Sequence, residues 1–273
     1  MKGEENTVSA STPIDPSALE FSVRTITPFV VHPEAERLIE FMKHTFGAEV
    51  TSQDKHQGDD GFVANVRIGD SDLLIMGGES VRGQESPAAL HVYVKDCDAV
   101  FQRAVDAGAV TIGPPGVGEP ADRPYGERAA FVSDPFGNLW FIATRIGESN
   151  YVGLGLSHVT PGLLPSNATS LIDFLKRAFD AKVEDVYEED GSLVHAFVRI
   201  GEAMLEMSEA EEEIPRPFGF YVHTDDVDAV HRRAMAAGAL SILPPADQAF
   251  GDRLAILEDQ AGNRWLVARR TAS

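Results

Sequence analysis

Cysteine is almost missing from this chain of 273 residues: Cys97 stands alone, so no disulfide can form within the chain. That usage fits a reducing compartment. Basic residues are scarce too, 23 Lys and Arg against 43 Asp and Glu, for a formal charge of −20 at pH 7. Phosphate backbones and anionic lipid surfaces need clustered Lys and Arg, so nucleic acid and membrane partners are not expected. The acidic run at Glu209-Ala210-Glu211-Glu212-Glu213 reads as a solvated loop. No stretch approaches the roughly 20 apolar residues of a membrane span. Glycine-rich phosphate loops and nucleophile elbows are absent from the sequence. Residues 1–20 are rich in Ser, Thr, Pro and Glu and lack the apolar segment of a signal peptide. They read as a disordered tail, and the expected location is the cytoplasm.

What is present is a sentence said twice. Arg24-Thr25-Ile26-Thr27-Pro28 returns as Ser157-His158-Val159-Thr160-Pro161, and Arg67-Ile68-Gly69 as Arg199-Ile200-Gly201. Ala107-Gly108-Ala109 returns as Ala237-Gly238-Ala239. Asp134-Pro135-Phe136-Gly137-Asn138-Leu139-Trp140 returns as Asp259-Gln260-Ala261-Gly262-Asn263-Arg264-Trp265. The spacing between copies drifts by only a few residues, so the halves share one order of elements. With 43% apolar residues, each half can bury its own core. The boundaries fall at 21–147 and 154–271, with 148–153 as a linker. A duplicated domain also carries its own control, because each candidate residue has a twin.

Periodicity gives the order within a half. Phe21 to Val31 reads as a strand. Leu38, Phe41, Met42 and Phe46 share one face of a helix from about Glu34 to Phe46, stopped by Gly47. Phe62 to Ile68 and Asp72 to Met76 are strands around a Gly69-Asp70 turn. The pattern restarts at Leu90, with a helix capped by Asp96 or Asp98 and closed near Gly108. Strands at Val110, Ala129 to Ser133 and Leu139 to Ala143 follow. The second half repeats this from His158, with helices at Ala168 to Phe179 and Asp228 to Ala237.

This order resembles the vicinal oxygen chelate superfamily, the group of glyoxalases, bleomycin resistance proteins and extradiol dioxygenases. The most specific pieces are Tyr125-Gly126-Glu127-Arg128 with the Asp134-to-Trp140 turn, echoed by Phe250-Gly251-Asp252-Arg253. With Thr27-Pro28-Phe29-Val30 they look like its PhnB-like branch. The resemblance implies an α+β fold: two tandem domains, each of paired βαβββ modules forming open, cup-shaped mixed sheets. The cup holds a small molecule and often a divalent metal. Family members that use a metal take ligands from four strands, which here are Thr25, Leu74, His91 and Phe141 in one half and His158, Glu206, Tyr221 and Leu266 in the other. Cups completed across two domains would join His158 and Glu206 to His91 and Phe141. The resemblance thus implies one site with His91, His158 and Glu206 as ligands for zinc, iron, nickel or manganese. The complementary set, Thr25, Leu74, Tyr221 and Leu266, cannot hold a metal.

The residues alone leave blander readings open. His91 and His158 also suit half-buried histidines, Glu206 a rim carboxylate, and His195 a core or cup-lining role. Tyr125, Phe141 and Phe250 are expected as aromatic surface for a ligand. Arg128 and Arg253 could bind an anionic group in the cups, although their presence in both halves favours structural ion pairs. Cys97 has no evident partner base. No residue is identifiable as the catalytic base. Two functions remain: a metal-dependent lyase, isomerase or dioxygenase of glyoxalase type, or a metal-free small-molecule binder of bleomycin-resistance type. Two domains in one chain already supply a pairing, so a monomer or a homodimer is expected.

Overall fold

The computed structural model describes residues 25–55, 60–114, 116–147, 154–190, 192–209, 218–248 and 251–270. The expected tail at 1–20, the linker at 148–153 and Phe250 lie outside the described residues. Four modules follow one another. The first holds β1 (Ile26–Val31), α1 (Ala35–Phe46), β2 (Glu49–Lys55), β3 (Phe62–Ile68) and β4 (Ser71–Gly77). The second holds β5 (Ala89–Tyr93), α2 (Cys97–Asp106), β6 (Val110–Thr111), β7 (Ala121–Arg123), β8 (Glu127–Ser133) and β9 (Leu139–Arg145). The third holds β10 (Val159–Leu163), α3 (Ala168–Phe179), β11 (Lys182–Glu189), β12 (Ser192–Ile200) and β13 (Ala203–Ser208). The fourth holds β14 (Gly219–His223), α4 (Val227–Ala236), β15 (Leu240–Asp247), β16 (Asp252–Glu258) and β17 (Arg264–Arg270). The fold is α+β with two mixed sheets. Among the described residues no helix is long and apolar enough to cross a membrane.

Each sheet takes one module from each repeat. The first runs β15-β16-β17-β14-β1-β4-β3-β2, and the second β11-β12-β13-β10-β5-β9-β8-β6, with β7 on β8. The central antiparallel seams set Thr27 opposite Tyr221 and Thr160 opposite His91. Strands β2 and β11 were invisible to periodicity. Both are sheet edges of charged and polar residues, Glu49 to Lys55 and Lys182 to Glu189, with little burial to impose an apolar alternation.

Strand parity sorts core from cup. Leu90 and Val92 of β5 pack with Leu38, Met42 and Trp140 under helices α1 and α2, which leaves His91 and Tyr93 on the opposite face. The repeated Asp-to-Trp turn is a clamp. Buried Asp134 accepts from the backbone of Phe136 and Asn138, from Asn138 Nδ2 and from Trp140 Nε1 at 2.8 to 2.9 Å. Asn138 Oδ1 then accepts from Ala88 N, pinning the turn to the start of β5. Asp259, Asn263 and Trp265 repeat every bond, ending on Phe218 N.

A second repeated device joins the sheets. The β3–β4 turn lies under the start of β10: Gly69 has φ +60°, Asp70 accepts from His158 N at 2.9 Å and pairs with its Nδ1 at 3.2 Å. At the twin position Gly201, also at φ +60°, lies under Thr25, whose backbone and hydroxyl donate to Glu202. A side chain at Gly69 would run into the His158 ring. Gly69→Ala is therefore expected to cost about 1–3 kcal/mol in urea unfolding. In a His158→Ala background the cost falls to the part due to φ alone, about 1 kcal/mol. Equal costs in both backgrounds would contradict this contact.

Candidate functional site

The odd-numbered residues of β8 and β9 continue the face that carries His91 and Tyr93. Glu127 on β8 is fully buried, and Phe131 and Phe141 meet edge to face at 5.4 Å between ring centres. From the other side of the seam, β13 contributes Glu206 and β12 contributes His195 to the same face of the sheet. Their side chains form one chain of contacts. The Glu206 carboxylate accepts from His195 Nε2 through Oε1 and from His91 Nδ1 through Oε2, both at 2.8 Å. On the far edge of the His91 ring, Nε2 faces Glu127 Oε2 at 3.6 Å. Glu127 Oε1 accepts from the Tyr93 hydroxyl at 2.7 Å, and the Tyr93 ring stacks on His91 at 4.6 Å. Arg145 lies over the outer face of Tyr93, 4.6 Å from its centre.

The electrostatics follow from this order. Burial alone would strip the charge from His91, but the Glu206 carboxylate outweighs it, Glu127 adds to it, and the imidazole pKa is raised. Burial likewise opposes charge on Glu206, and here the positive His91 with the two imidazole hydrogen bonds wins, holding the carboxyl far below its ordinary range. The Tyr93 phenol is pushed well up by burial and by Glu127. Tyr125, half-buried in the turn before β8, is pushed up to about 12 by burial, then by Glu127 and Glu206. With His91 protonated, the row reads carboxylate, imidazolium and a second acid.

The matching face of the other sheet is different. There Tyr221 occupies the place of His91 and donates to Asp252 at 3.0 Å, while Val63 and Leu74 stand where His195 and Glu206 stand. Phe29, Leu254 and Leu266 join them in a buried apolar cluster closed by Val81.

A family model described as the glyoxalase/bleomycin resistance protein/dioxygenase superfamily matches residues 26–142 and again 155–267. The chain belongs to this superfamily. As a glyoxalase-superfamily protein it is 32% identical over 124 residues to an uncharacterized protein of Mycobacterium bovis, covering 41% of this chain and 82% of that one. A Mycobacterium tuberculosis relative is also 32% identical over 124 residues, with 41% of this chain and 73% of that one covered. The fold is similar to that of glyoxalase I from Zea mays, with a TM-score of 0.70 at 13% identity over 90% of this chain and 92% of that one.

Within this superfamily fold the expected site residues separate. His91 and Glu206 come together. His158 does not join them: register places Thr160, not His158, opposite His91, and the His158 side chain, 55% exposed, turns onto Gly69 and Asp70. The three-ligand set is corrected accordingly. Glu206 already has each oxygen on an imidazole, and among the described residues no group of three or more His, Cys, Asp or Glu is arranged to hold a metal ion. Among the described residues, the ionisable side chains of this face leave two buried atoms without a hydrogen bond, His91 Nε2 and Glu127 Oε2, fewer than the three or four protein ligands of zinc centres. Among the described residues this donor set does not fit a metal centre.

Arg128 and Arg253, named as possible anion-binding residues, make the structural ion pairs that their presence in both halves favoured. Both face away from the cups, toward the first turns of α2 and α4. Arg128 grips Asp98 with two bonds of 2.5 and 2.7 Å and Asp122 with a third. Arg253 repeats this on Asp228 and Asp247. They are structural forks. Phe141 lies beside His91 in parallel register, on the cup face. The residues that sequence reasoning passed over are Glu127 and Tyr93. Both halves carry an acid between the glycine and the arginine of the motif, and parity puts that acid on the face opposite Arg128. That alternation was the available signal.

Proposed function

We propose that this protein binds a small organic molecule in the cup of the second sheet without a metal ion, the second of the two readings. One observation carries it. His91, Tyr93, Glu127, His195 and Glu206 form one chain of contacts on a single sheet face, whereas the twin positions of the last two hold Val63 and Leu74. The fold therefore accepts apolar residues where this cup keeps buried ionisable ones. Burying such groups opposes folding, so a site that retains them serves something other than stability. The aromatic pair Phe131 and Phe141 adds apolar surface for the body of a ligand.

The test uses the full chain after treatment with a chelator. Zinc and nickel are expected to leave the melting temperature unchanged, and dialysis should leave no stoichiometric ion. A neutral aromatic probe, 1-naphthol, is expected to raise the melting temperature, because binding to the native state alone stabilises it. One tightly held ion per chain, with a rise of several degrees, would overturn the metal-free reading.

A further inference from the structure

Among the described residues, three buried polar atoms on this surface have no hydrogen-bond partner: His91 Nε2, Glu127 Oε2 and Thr160 Oγ1. All three residues are at least nine-tenths buried, with exposures of 6%, 0% and 1%. Nε2 and Oε2 face each other at 3.6 Å, too far to bond, and Thr160 stands directly opposite His91 across the β5–β10 ladder. Buried polar groups are ordinarily paired, since an unmade bond costs about 1–3 kcal/mol. Two of these three converge on one spot, where a third group can satisfy both.

Chemistry limits what that group can be. Nδ1 of His91 donates to the acceptor-only Glu206 carboxylate, and the imidazolium set between two acids presents Nε2–H as a donor. Glu127 Oε2 presents an acceptor. A carboxylate or phosphate ligand would accept from His91 but meet Glu127 and Glu206 as like charges. An ammonium could donate to Glu127 but has no lone pair for His91. A carbonyl satisfies His91 and leaves Glu127 unpaired. A hydroxyl accepts from one and donates to the other.

We infer that the cup recognises an uncharged alcohol or phenol whose hydroxyl sits between His91 Nε2 and Glu127 Oε2 and whose carbon skeleton lies on Phe131 and Phe141. This rests on the small-molecule reading above and names its ligand class. Thr160 is the additional polar contact, and the Glu206–His195 pair is a positioning element that fixes the imidazole.

The experiment compares three probes of one size on the wild-type chain by intrinsic fluorescence: 1-naphthol, 1-methoxynaphthalene and 1-naphthoate. The phenol is expected to bind at least about tenfold more tightly than its methyl ether, which can accept from His91 but cannot donate to Glu127. Naphthoate is expected to be weaker still. Glu127→Gln should shrink the preference for naphthol over the ether below about threefold. Equal binding of naphthol and its ether to the wild type would overturn the hydroxyl assignment and leave the cup reading standing. Preference for naphthoate would also overturn the assignment. Binding of none of the three would overturn both.

Discussion

Glu206→Leu alone is expected to cost roughly 3 kcal/mol of stability, and His195→Val added to it to return about half of that. The single change leaves two imidazoles without the carboxylate that holds them, and His195 Nε2 loses its 2.8 Å bond within a part-buried site. Breaking a buried pair by removing one member costs about 3–5 kcal/mol, and Glu206 at 18% side-chain exposure belongs at the lower end. The double change installs the Val63–Leu74 pair that the other sheet already accommodates at these positions. His91 Nδ1 still lacks a partner in the double variant, so recovery stops short of wild type. Urea unfolding of the two singles and the double measures the coupling directly. Additive costs would mean that Glu206 and His195 do not act as a pair.

Stability is also expected to depend on pH on both sides of a plateau, and Glu206→Gln to reduce both slopes. The His91 pKa is raised in the folded chain, so its contribution is full below the ordinary histidine value of 6.5 and is lost as pH rises through the folded value. The Glu206 pKa is lowered, so its contribution is full above the ordinary value of 4.5 and is lost as pH falls through the folded value. Both are complete only between those two ordinary values. Glu127, Arg145 and Tyr93 also face the imidazole and shape the alkaline limb. Asp134 and Asp259, raised by burial, add acid-side slopes of their own, so the informative quantity is the difference between wild type and variant. That difference should shrink as pH rises from the plateau through the folded His91 value. A difference that stays constant with pH would show that the two groups are not coupled.

The fold was legible because its signals are local. Each Asp-Gly-Asn-Trp turn satisfies its own bonds within seven residues, and the helix ends at Gly47 and Asp96 follow capping rules. The crossed pairing of modules came from a family resemblance, and the sheet order shows it directly. The site was half legible. His91 and Glu206 stood out because their twins, Tyr221 and Leu74, differ from them. His158 misled because sequence gives its place along the strand but not the seam register, and two residues of register separate a cup ligand from a clasp on Gly69. Arg128 was legible through its twin: its presence in both halves favoured an ion pair, which it makes with Asp98, while the neighbouring Glu127, on the other face of the same strand, holds the deeper position.

The most direct test follows the imidazole ¹⁵N resonances of the eight histidines while 1-naphthol is added near neutral pH. His91 is expected to begin doubly protonated, His91 and His195 to shift together as the probe binds, and His158 on the inter-sheet clasp not to move. A neutral His91, or shifts centred on His158 with His91 unchanged, would contradict this expectation.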